Sequence, residues 1–175
     1  HSSVDLANAI EISQTNNIDI RPTWMPFSPW TNQNDLIDII NLIENYKLRE
    51  TVDPIQLTIK LLIPKHSLIL QRSEIKKYIK DYDKNSLSYM WDYKNEEVNK
   101  LQVSLFKYLL DTPDLDEHSQ YLGMVNIIEN MTQSSLKLDS NYSYKNVPKL
   151  SETWFCCAEP SQIQLDRIKT NTALI

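Results

Sequence analysis

Two adjacent thiols are the most reactive groups the sequence offers. Cys156 and Cys157 are its only cysteines, set in Trp154-Phe155-Cys156-Cys157-Ala158-Glu159-Pro160. Residues 161–169 behind them read as a short amphipathic helix. Pro160 suits its first turn, where a backbone N–H would have no helical partner anyway. Thiols just ahead of a helix N-terminus feel the positive end of the dipole, which favours thiolate. An adjacent pair can also close to a strained, easily reduced ring or chelate a soft metal. The plain alternative is that both are small core residues. Glu159 either positions a proton or caps the helix, and capping is the simpler job.

No other cluster competes with this pair. His1, His66 and His118 are far apart and lack zinc spacing, so each reads as a surface or loop residue. The carboxylates spread over helix faces without forming an evident acid/base couple. A single glycine, Gly123, excludes glycine-rich phosphate loops from these 175 residues. A net charge of −5 argues against nucleic-acid or membrane-surface binding driven by charge. No apolar run approaches the roughly 20 residues that span a bilayer. With no disulfide framework, a reducing cytoplasm is the expected compartment.

The elements that must position this chemistry predict an α/β fold. Residues 4–15 read as a helix capped by Ser2 or Ser3, with Val4, Leu6, Ala7 and Ile10 on one face. Residues 18–24 read as a strand, which Pro22 weakens. Residues 25–31, Met-Pro-Phe-Ser-Pro-Trp-Thr, form a stiff aromatic loop. Asn32 or Asn34 caps a helix to about residue 48, with Leu36, Ile39, Ile40 and Ile43 as its buried stripe. Residues 55–63 read as a second strand. Strand, helix, strand at this spacing predicts a βαβ unit with parallel strands. Two such strands need neighbours, and the sequence shows none plainly. That, with an opening directly in a helical pattern, suggests a piece of a longer protein.

Ligands in parallel α/β folds sit at the C-terminal ends of strands. There the 25–31 loop borders the turn at Pro64-Lys65-His66-Ser67, although Trp24, Phe27 and Trp30 equally suit a packed corner. The rest reads as helical. Ser73 caps a helix at 74–80, residues 87–93 are extended, and helices cover 95–110 and 115–131, separated by a break at Asp111-Thr112-Pro113-Asp114. The polar stretch 132–149 reads as a linker to the cysteine tail.

Three stretches together resemble a known family. They are residues 18–31, residues 52–67 and the Cys-Cys-Ala-Glu-Pro stretch at 154–160. The chain is similar to the C-terminal half of radical S-adenosylmethionine enzymes, in the subgroup named for that tail, some relatives of which carry selenocysteine there. The resemblance implies the last βαβ part of a partial (βα) barrel over 1–72, a helical region over 73–132, and a linker with an extended cysteine-bearing tail over 133–175. It implies S-adenosylmethionine and an iron–sulfur cluster as cofactors. It also implies a deoxyadenosyl radical acting on a substrate of unknown identity, and a missing N-terminal barrel half. The family's C-x-x-x-C-x-x-C cluster motif is absent, so its ligands are expected upstream and this chain alone is expected to be inactive. Pro26 and Pro29 stand where the family commonly has glycine, Trp30 where it has an acid, and His66 where a glycine is common.

The expected site follows. Cys156 and Cys157 act in redox or nucleophilic chemistry. Arg21, Trp24, Pro26, Gln56 and Lys60 border the cofactor, with Gln56 and Lys60 facing the barrel interior at period two. Arg21 and Lys60 have surface alternatives, since a lysine can also snorkel to an edge. The rival functions are capture of a soft metal or metalloid by the dithiol, or a non-catalytic helical interaction module.

Overall fold

The computed structural model describes residues 2–140 and 142–144. The two cysteines, the 161–169 helix and the rest of the tail lie outside them. The described chain mixes four helices with a two-stranded antiparallel sheet.

Each helix begins where a short polar side chain can satisfy its free N–H groups. α1 (Ser3–Thr15) opens on a capping box in which Asp5 N–H donates to Ser2 Oγ and Ser2 N–H returns to the Asp5 carboxylate. α2 (Gln33–Asn45) opens on the same device, built from Asn32 and Asp35. α3 (Glu96–Asp111) starts on Asn95 and α4 (Glu117–Thr132) on Asp116. The expected stripe on α2 is buried at Leu36, Ile40 and Ile43, with Ile39 half-buried. On α1 only Ile10 is fully buried, while Val4 and Ile12 are 63% and 64% exposed. The Leu6, Ala7 and Ile10 side of the helix is covered, with Leu6 and Ile10 in the main core, and Val4 and Ile12 stay at the surface.

α4 packs against α2 and α3. Its Tyr121, Met124, Val125 and Ile128 meet the α2 stripe and Val98, Leu101, Leu105 and Leu109 of α3 in the main core. The lone glycine lies in that packing: a Cβ at Gly123 would fall inside the Tyr108 phenol.

The expected strands are largely replaced. Residues 18–24 form none, in keeping with Pro22, which has no N–H for a ladder. The first four residues of the second fall in a 3-10 turn, Pro54–Thr58, because Asp53 caps Ile55 N–H and Pro54 fits the opening turn. One parallel bridge remains across α2, between Phe27 and Lys60. Phe27 N–H donates to Ile59 O at 3.2 Å and Leu61 N–H to Phe27 O at 2.7 Å.

The expected helix at 74–80 is overturned. Ile75 and Tyr78 recur at helical spacing, but the stretch is a turn leading into β1 (Ile79–Asp83). β1 pairs antiparallel with β2 (Ser88–Trp91), inside the extended stretch expected at 87–93. β2 in turn holds the second expected strand: Tyr89 N–H donates to Ile63 O, and the Trp91 indole N–H to Leu61 O. The hairpin is thus a neighbour that this strand needed. A satellite core of Ile63, Ile75 and Trp91 lies between them.

Among the described residues, four non-glycine residues turn the chain at positive φ: Asn17, Lys47, Leu87 and Gln133. Beyond α4 the expected linker packs back, with Leu136 buried in the main core and its N–H on the Glu129 carboxylate at 2.6 Å.

Candidate functional site

The parallel bridge gathers the five residues expected to border a cofactor into one seam, where most of their polar groups already have structural work. The Arg21 guanidinium pairs with Asp53 at 3.2 Å. Gln56 is 2% exposed, and its side-chain oxygen accepts Trp24 N–H at 3.0 Å. Because Gln56 lies in the 3-10 turn, the period-two relation to Lys60 does not hold. Pro26 is buried, and its carbonyl accepts the Thr31 hydroxyl at 2.8 Å. Thr31 Oγ1 also accepts Ser28 N–H, so the aromatic loop is closed by its own hydroxyl.

Two donors on the seam lack such partners. The Trp24 indole N–H is buried without a hydrogen-bond acceptor among the described residues. The Lys60 ammonium lies over two rings, 5.1 Å from the Trp91 centroid and 5.6 Å from that of Tyr93. Tyr93 meets Trp91 edge-on at 4.7 Å and Phe27 at 6.3 Å. Lys94 N–H donates to Pro29 O at 3.0 Å, which ties the aromatic loop to the segment leaving β2. Trp30 packs edge-on to Tyr78 and remains partly exposed, as does Met25. The Trp91–Tyr93 contribution is invisible in sequence, because it depends on the hairpin folding back along residues 61–63.

A second polar centre lies around Arg49, which the sequence does not single out. It is 4% exposed, yet its Nε donates to Glu44 Oε1 at 2.8 Å and a second nitrogen bonds Glu44 Oε2. The Tyr121 hydroxyl donates to Glu44 Oε1 at 2.7 Å. Tyr142 covers the guanidinium at 4.2 Å and donates to Glu50. The Glu44 carboxylate holds the Arg49 proton above its ordinary range. Burial first, then the hydrogen bond to Glu44, pushes the Tyr121 phenol well up. Burial, then Glu50, does the same for Tyr142. A cavity of about 450 Å³ lies beside it, with Ile18, Ile20 and Leu48 as apolar lining and Asp19, Glu50 and Asp139 as acidic lining. It borders the start of the first expected strand, away from the Phe27–Lys60 bridge.

Of the histidines, His66 is exposed, as expected. His118 is half-buried, stacked 4.8 Å from Tyr144, with a buried Nδ1 lacking a partner among the described residues. No group of three or more His, Cys, Asp or Glu among the described residues could hold a metal ion. No described helix is long and apolar enough to cross a membrane. No protein-family model matches this chain, and neither a curated protein nor a solved structure matches it.

Proposed function

We propose that this chain is the distal part of a radical S-adenosylmethionine enzyme of the Cys-Cys-Ala-Glu-Pro subgroup, acting on a substrate of unknown identity. The observation that carries the reading is the parallel bridge closed across α2. It brings two of the three family-like stretches side by side, Trp24 to Phe27 against Ile59 to Leu61.

The implied cofactors fit this chain unequally. S-adenosylmethionine carries a carboxylate, and on the seam the Trp24 indole N–H has no acceptor among the described residues, while the Lys60 ammonium is open to cofactor or substrate. Arg21 and Gln56 fit less well, because Asp53 and Trp24 N–H engage them. The cluster does not fit: it needs three spaced thiolates, and the chain has two adjacent ones. Its ligands therefore belong upstream. Bound together, the two cofactors supply the radical chemistry, while this chain shapes and shields one side of the site. The thiols of Cys156 and Cys157 retain their proposed redox or nucleophilic role.

The test is to express the gene product from its own start codon and reconstitute it anaerobically with iron and sulfide. Reductant-dependent release of deoxyadenosine from S-adenosylmethionine is the expected result. A product with no C-x-x-x-C-x-x-C motif, no cluster and no deoxyadenosine ends the proposal. Cys156→Ser with Cys157→Ser should leave cleavage intact and abolish substrate turnover.

A further inference from the structure

The seam holds a cation whose surroundings are incomplete. Lys60 is half-buried, so part of its hydration is lost, yet no carboxylate or hydrogen-bond acceptor among the described residues meets its ammonium. The nearest carboxylate in the facing sequence, Asp92, lies between the two rings in the chain and is taken by Lys80 at 2.5 Å. Among the described residues, the faces of Trp91 and Tyr93 support the charge. Ring faces stabilise an ammonium less than a hydrogen-bonded anion does. Such a site gains when an anion arrives. The partly exposed Trp30 and Met25 sit on the loop tied to this segment and offer apolar surface for whatever carries the anion.

We infer that Lys60, backed by Trp91 and Tyr93, is the recognition residue for the carboxylate of a substrate with an apolar body. This rests on the proposed reading for the word substrate, while the binding itself does not depend on the cluster. The rings orient the ammonium and the aromatic loop accepts the apolar body. Lysine suits this task because its charge sits on a flexible stem and can leave the rings to meet a ligand.

The indole of Trp91 lies close enough to report occupancy by fluorescence. The full 175-residue chain is titrated with benzoate and, separately, with tetramethylammonium. Saturable quenching by benzoate is expected, weakened by about tenfold or more in Lys60→Met and largely restored in Lys60→Arg. Circular dichroism confirms that each variant is folded. Equal benzoate binding by the wild type and Lys60→Met overturns the inference, since the rings alone would then account for it. Tighter tetramethylammonium binding in Lys60→Met than benzoate binding in the wild type also overturns it, because the rings would then be a cation cage that Lys60 merely fills. Displacement of benzoate by S-adenosylmethionine assigns the carboxylate to the cofactor and overturns the substrate assignment. Deoxyadenosine release by the reconstituted gene product separately decides the parent reading.

Discussion

Two cations of this protein leave water in opposite company. Arg49 is almost fully enclosed and meets a two-pronged carboxylate, a backbone carbonyl at 3.4 Å and a covering phenol ring. Lys60 is half-enclosed and meets two rings and no described anion. A planar guanidinium with fixed donors suits a permanent partner, whereas a mobile ammonium suits one that comes and goes. Completeness of compensation, rather than burial alone, separates a charge that holds the fold from one that serves a ligand.

The sharpest way to break the comparison is Glu44→Ala. It strands the Arg49 charge and removes the acceptor of the Tyr121 hydroxyl, so a loss of about 3–5 kcal/mol is expected in chemical denaturation. A loss no larger than that of Lys60→Met would erase the distinction. Replacing the network together, with Glu44→Leu, Arg49→Met and Tyr121→Phe, should recover most of the loss, since a packed apolar substitute avoids desolvating charge. Tyr121→Phe alone should cost about 1 kcal/mol.

That last variant also has a pH signature. The folded-state values of Tyr121 and Tyr142 are raised, so the fold retains both protons where an unfolded tyrosine, near pH 10, begins to lose its own. The stability they contribute is full below that pH and falls as pH rises beyond it. Denaturation midpoints of Tyr121→Phe should therefore decline less steeply than wild type above pH 10. An identical slope would mean that the phenol ionises freely in the fold. Lys60→Met should change stability by less than about 1 kcal/mol, because only ring contacts are lost. Asp53→Asn should have the smallest effect, a few tenths of a kcal/mol, since the Arg21 pair is partly exposed and asparagine keeps the cap on Ile55.

The helices were legible because their determinants are local. Asn32 and Asn95 begin helices that run close to their expected lengths, and the α2 stripe is buried as its spacing predicts. Extended segments depend on what lies beside them. Asp53-Pro54 was a readable turn signal that the apolar run after it obscured. Ile75 and Tyr78 mimic a helical stripe because both pack inward from a turn, Ile75 with Ile63 and Trp91 and Tyr78 against Trp30. Of the expected site, the bridge of Phe27 to Lys60 follows from the strand–helix–strand order, while Gln56, expected to face the barrel interior, accepts the Trp24 N–H. Nothing in the order of residues ties Lys60 to Trp91, or Arg49 to Tyr142 some 90 positions later. The Cys156 and Cys157 assignment lies outside the described residues and stands with the proposal.

The left-handed turns at Asn17, Lys47, Leu87 and Gln133 give this molecule an unusual margin for improvement. A residue with a Cβ resists that conformation by about 1–2 kcal/mol, least for asparagine. In a chain with one glycine, three of its corners fall on residues with no chemical aptitude for them. Leu87 is the extreme case, since it turns at φ 54 and is 64% exposed, so little packing repays it. Thermal tolerance in this scaffold is therefore most readily raised at its corners, by glycine or asparagine at positions 47, 87 and 133, leaving the Lys60 seam and the Arg49 network untouched.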